Sequence, residues 1–163
     1  MTQATREVST RQERPWEFTP PKFMNRVMAT VLRTPLLHRA ISSQILIITF
    51  TGVKSGKRFS TPVGYLREGD TITLMVKRFR KWWRNFITPA PVELLIAGKK
   101  VQGVATALTD DDTLIPLITH IVEQRPRQGQ IFEISIGEDG KPNVADVTAV
   151  APKVAIIQIT LTR

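Results

Sequence analysis

Short apolar runs bounded by glycine and polar residues dominate the chain, and in only two places do apolar residues return every three or four positions. Ile45-Leu46-Ile47-Ile48-Thr49-Phe50 is β-branched, apolar and too short for a helix, which predicts a strand buried on both faces. Phe59 to Leu66 predicts its partner, and the eight residues between, Thr51 to Arg58, contain two glycines and predict a sharp turn. Arg67-Glu68-Gly69-Asp70 signals a tight turn before a third strand, Thr71 to Val76. Val92 to Ala97 and Val101 to Leu108 flank Gly98-Lys99-Lys100 as a second hairpin, its glycine tip facing solvent. Ile131 to Ile136 and Val154 to Leu161 read as strands separated by a turn at Gly137 to Pro142, with Val144 to Val150 helix or coil.

Helical spacing occurs first at Phe23, Met24, Val27, Met28, Val31 and Leu32, behind Thr19-Pro20-Pro21, a cap followed by first-turn proline. Pro35 ends or kinks that helix. It returns at Leu114, Leu117, Ile118, Ile121 and Val122, behind Asp110-Asp111-Asp112, where acids complement a helix dipole. Pro116 falls inside this second helix and argues for a later start; Arg125 to Gln130 reads as a break. Lys77 to Phe86 is a loop into a short helix, stopped at Thr88-Pro89-Ala90-Pro91. The order predicts an α+β chain that is mainly β. Without βαβ alternation, a closed or split antiparallel barrel with helices over its ends hides the sheet edges best. Residues 1–18 are polar and read as a flexible arm; 19–163 read as one domain.

Composition narrows the chemistry. The 163 residues contain no cysteine, which removes disulfides and thiolate ligands, and His38 and His120 stand far apart, so no metal site is expected. No apolar run reaches the roughly 18 residues a bilayer demands, and the first 22 lack a signal peptide's apolar centre; a cytoplasmic protein is the expectation. The net charge of +9 is unevenly spread: residues 1–109 hold 18 basic side chains against 6 acidic, whereas 110–163 hold 5 against 8. Eight of those 18 fall at Lys54 to Arg58 and Lys77 to Arg84, a strong positive field if the two stretches meet.

Each cationic stretch has more than one reading. Lys54, Lys57 and Arg58, with the hydroxyls of Thr51 and Ser55 and the glycines Gly52 and Gly56, suit a phosphate-sized anion or a merely solvated basic hairpin. The spacing is not that of a Walker loop. Lys77-Arg78-Phe79-Arg80-Lys81-Trp82-Trp83-Arg84-Asn85-Phe86 packs five cations and four aromatics into ten residues. That composition fits single-stranded nucleic acid, an anionic membrane surface, or a roof over a cavity holding an acidic cofactor. The bland alternative is a short surface helix with Trp82 and Phe86 in the core.

Thr51-Gly52-Val53-Lys54-Ser55-Gly56-Lys57, Thr61-Pro62-Val63, Arg67-Glu68-Gly69-Asp70, Trp82-Trp83-Arg84-Asn85-Phe86 and Ala90-Pro91-Val92 follow one another over some sixty residues. Together they resemble the deazaflavin (coenzyme F420)-dependent nitroreductase family, of the split β-barrel, flavin-reductase-like proteins. The resemblance implies an FMN-binding-like split barrel holding F420 or FMN, and hydride transfer to a nitro, quinone or enone substrate. It also implies a small-molecule substrate, a homodimer and no specific nucleic acid. Cofactor contacts would fall on Lys54, Ser55, Gly56, Lys57 and Arg58 at the first turn, on Pro62 and Lys77, and on Trp82 and Asn85 as walls. Three departures stand out: Val76-Lys77-Arg78-Phe79 replaces a Ser-Lys-Gly-Gly segment, Phe59 displaces an arginine, and Tyr65 is the only tyrosine. The competing reading is a non-catalytic barrel for a hydrophobic or tetrapyrrole-like ligand, or an anionic-surface binder.

Overall fold

The computed structural model describes residues 44–162. The expected arm, the Phe23–Leu32 helix, Pro35 and His38 lie outside the described residues. Seven strands follow: β1 (Ile45–Thr51), β2 (Arg58–Gly64), β3 (Leu66–Glu68), β4 (Thr71–Lys77), β5 (Ala90–Ile96), β6 (Lys99–Leu108) and β7 (Val154–Thr162). They form one antiparallel sheet in the order β2-β1-β5-β6-β7-β4-β3. The sheet curls until β2 returns alongside β4, the open seam of a split β-barrel. Three 3-10 turns, Arg78–Arg80, Trp82–Phe86 and Ala151–Lys153, and three helices, α1 (Asp111–Gln124), α2 (Pro126–Ile131) and α3 (Val144–Val150), complete the described chain.

Strand alternation sorts the core into two layers. Leu46, Ile48 and Phe50 of β1, Ile72, Leu74 and Val76 of β4, and Val92, Leu94 and Ile96 of β5 fill the barrel, with Trp83 and Phe86 among them. The opposite face of β4 and β7, through Met75, Val154 and Ile156, packs against Leu114, Ile118, Ile121 and Val122 of α1 and Val147 and Val150 of α3. β4 and β7 are therefore buried on both faces, and so is β1, where Ile47 is covered as well. The β5–β6 hairpin turns at Ala97 and Gly98, both at positive φ (48° and 78°), and its two lysines open β6.

Four expectations fail. Leu66, Arg67 and Glu68, expected at a strand end and in a turn, form the short strand β3 against β4 and leave Gly69 and Asp70 as the turn. Pro116 lies inside α1 without delaying its start. The Asp110 carboxylate accepts hydrogen bonds from the Thr113 backbone N–H (3.1 Å) and hydroxyl (3.0 Å). A proline inside a helix costs about 3 kcal/mol. Burying each of Leu114, Ile118, Ile121 and Val122 stabilises by about 1.5–3 kcal/mol, so the apolar face wins. Arg125 to Gln130 is mostly helix rather than break, because Pro126 occupies a first helical position, where its missing N–H is no loss. Ile131 to Ile136 is not a strand. The N–H groups of Phe132 and Ile134 both turn back to the Gly129 carbonyl, Glu133 sits at φ 59°, and only Ile136 bridges, to Pro142.

Candidate functional site

The open seam between β2 and β4 is where the chain makes a cleft. Pro62, Val63 and Gly64 form one wall and Met75, Val76 and Lys77 the other; Arg80 and Trp82 close one end, and Gln128, Ile131 and Phe132 roof it. Its volume, about 390 Å³, is in the range of small-molecule sites. Pro62 is tolerated because β2 is an edge strand. Gly64 lets α2 close over β2: a Cβ there would stand 3.2 Å from Gln128 Nε2.

The cleft is apolar apart from two cations, a glutamine amide and the edge of Trp82. Arg80 is partly buried, which lowers its pKa, and it forms no ion pair among the described residues. Lys77 also has a lowered pKa, first through burial; Arg80 pushes the same way and Glu133 opposes. Its Nζ lies 5.7 Å from the centre of the Phe132 ring, which ties β4 to the roof. Two like charges pulled out of water beside each other are stabilised by an anion. Arg78 has another role: its guanidinium donates to the carbonyls of Val154 (2.6 Å) and Thr109 (2.5 Å) and lies 3.8 Å from Asp111.

The adjacent tryptophans divide the same way. Trp83 Nε1 donates to the Arg78 carbonyl (2.9 Å), and the ring belongs to the core. Trp82 lines the cleft and stacks on Phe50 (5.6 Å, 21°), and its buried Nε1–H has no partner among the described residues. An unpaired buried N–H costs about 1–3 kcal/mol. Lys81, at φ 54°, separates the two 3-10 turns that deliver Arg80 and Trp82.

The first turn is hydrogen-bonded within itself but lies elsewhere. Gly52 N–H donates to the Lys57 carbonyl and Gly56 N–H to the Gly52 carbonyl, both at 2.8 Å, with Gly56 at φ 63°. Ser55 Oγ accepts from the Lys57 N–H at 3.3 Å. Lys54, Ser55, Gly56 and Lys57 are all exposed and none lines the cleft, and Arg58 reaches across to Glu93 (3.3 Å). Asn85 joins the two stretches: its Oδ1 accepts from the Val53 N–H (2.9 Å) and its Nδ2 donates to the Trp82 carbonyl (2.7 Å). Of the expected residues, the structure thus brings Pro62, Lys77 and Trp82 to the cleft, puts Asn85 behind Trp82, and leaves the turn outside.

Arg80 and the α2 roof were not among the expected site residues. Pro126, a good first residue for a helix, was the available signal for α2. Nothing in the sequence distinguishes Arg80 from Arg78. Phe86, fully buried, confirms its reading as core. Among the described residues no cluster of histidine, cysteine and carboxylate side chains could hold a metal ion, and no helix is long and apolar enough to cross a membrane.

Comparison with known proteins places these features. A family model described as F420H(2)-dependent quinone reductase matches residues 25–131, two-thirds of the chain and nearly all of the cleft. Among curated proteins none matches. Among solved structures, HutZ, the heme storage protein from Vibrio cholerae, is 10% identical over 77% of this chain and 88% of its own, with a TM-score of 0.51, and shares the fold. An F420 reductase (12% identity, 82% and 92% coverage) and the general stress FMN/FAD binding protein from Xanthomonas citri (14%, 88% and 87%) have TM-scores of 0.44 and 0.48.

Proposed function

The chain belongs to the F420H(2)-dependent quinone reductase family of oxidoreductases, and on that premise we propose that it reduces a quinone with F420, seating the deazaflavin ring in the β2–β4 cleft. One observation supports this above the others. An apolar slot of ring size is met at one end by two partly buried cations and the ring of Trp82. When bound, reduced F420 supplies the hydride.

The chain's own residues do the rest. Trp82, Pro62 and Val63 hold a planar ring and exclude water from it. Arg80 stabilises negative charge, whether on a phosphate of the cofactor or on the oxygen of the acceptor as it gains electrons. Lys77, its pKa lowered by burial, gives a proton to that oxygen more readily than an ordinary lysine and regains it from solvent. Lys54 and Lys57, on the turn that Ser55 and Gly56 complete, add an outer positive field that draws the anionic tail in.

Exposed Val53 and Ile87, close to the Asn85 hydrogen bond, and Phe59 beside them supply an apolar face for a second copy of the chain. The direct test is to titrate the purified protein with F420, following fluorescence, and then to follow oxidation of reduced F420 by a naphthoquinone. Tight binding and quinone-dependent turnover are expected. Absence of binding at hundreds of micromolar overturns the proposal.

A further inference from the structure

A second cleft, of about 440 Å³, opens where the first one ends. The two share Gly64, Gln128 and Ile131, so they lie on either side of the point where α2 rests on β2. Its floor is Ile45 and Pro126, and its polar groups are the amides of Gln44, Gln124 and Gln128 with the guanidinium groups of Arg125 and Arg127. Every ionisable side chain in its lining is cationic, and neither arginine forms an ion pair among the described residues. Arg125 is partly buried, so its charge is only partly screened by water.

We propose that this second cleft is the acceptor subsite, and that it selects acceptors bearing an anionic substituent, a carboxylate or sulfonate, which Arg125 and Arg127 clamp. The inference rests on the reductase reading for the word acceptor, since a ring in the first cleft puts this neighbouring cleft within reach of the far end of a second reactant. An apolar floor takes the acceptor's ring or chain, and the paired arginines take its charge by charge-assisted hydrogen bonds. The amides orient neutral oxygens without opposing that charge.

The test measures acceptor binding without cofactor, and F420 affinity separately on the same proteins. A naphthoquinone sulfonate and its neutral parent are bound to the full-length protein and to R125Q/R127Q by equilibrium dialysis. The wild type is expected to prefer the sulfonate by about tenfold or more, the worth of one to two charge-assisted contacts discounted for exposure. R125Q/R127Q should bring the two affinities together, and R125K/R127K, which keeps the charge, should retain part of the preference. Equal affinities in the wild type, or a preference that survives R125Q/R127Q, overturn the proposal. So does a double variant that weakens F420 while leaving the sulfonate preference intact, because the arginines would then serve the cofactor. If F420 does not bind but the sulfonate preference is lost in R125Q/R127Q, the anion subsite stands and the reductase reading alone falls.

Discussion

The two cationic stretches look alike in the sequence and are held differently by the fold. In the first, Lys54 and Lys57 stand on a turn whose backbone bonds are satisfied internally, and both face water. In the second, Lys77 and Arg80 stand at the end of an apolar slot, and burial lowers the pKa of both. Coulomb energy scales inversely with the local dielectric, so equal charges act differently in the two places. On the proposed reading the turn attracts from a distance, and the cleft binds. Arg78 marks a third condition, a cation tied to backbone carbonyls and structural in effect.

The severest way to break this contrast is to remove the cleft's charges. K77A/R80A should weaken F420 binding by about 100-fold or more, from two charge-assisted contacts of about 1.5–3 kcal/mol each, read by fluorescence titration. The fold should survive, since neither side chain is among the fully buried residues of the barrel interior. Unchanged affinity would move the cofactor out of the cleft.

A smaller effect sharpens the same point through pH. An anion beside Lys77 favours its charged form, so binding takes up a proton and affinity falls as pH rises through the lowered Lys77 pKa, below the ordinary 10.5. The groups facing it are Arg80, which adds to the lowering, Glu133, which opposes it, and Lys153 across a neighbouring groove. Folding stability has the opposite sign. The unfolded chain holds the Lys77 proton more tightly than the folded one, so this group's contribution makes the ligand-free protein more stable as pH climbs between the lowered value and 10.5. F420 affinity measured against pH should decline up to tenfold per unit, and K77R should shift the decline to higher pH.

Most of the barrel was legible because strand and turn signals are local. Ile45 to Phe50, Thr71 to Val76 and Val154 to Leu161 announce themselves by apolar content, and Gly69 and Gly98 by the backbone freedom their turns use. The site was legible only in part, because a cleft is a property of sheet curl. Pro62, Lys77 and Trp82 meet in space through the return of β2 to β4. Ile131 and Phe132 were masked by an alternation that mimics a strand. What overrides it is Glu133 at φ 59° and two N–H groups turning back to Gly129. Arg78 and Arg80, two residues apart, acquire opposite roles because one reaches the backbone of β7 and of the link between β6 and α1, and the other the seam.

The mildest prediction concerns the turn. K54A/K57A should weaken F420 binding by only about three- to fivefold at low salt, because exposed cations contribute about 0–1 kcal/mol each. The loss should fall on the association rate, which a long-range field governs, rather than on dissociation. At about 1 M salt the screening length is about 3 Å, and the variant and wild type should then bind alike. The K77A/R80A defect should persist under the same salt, since ions reach a half-buried cleft poorly. Stopped-flow binding at both salt concentrations separates the two regions. A salt-resistant loss of 100-fold in K54A/K57A would show that the turn grips the cofactor directly, and would reverse the order assigned to the two clusters.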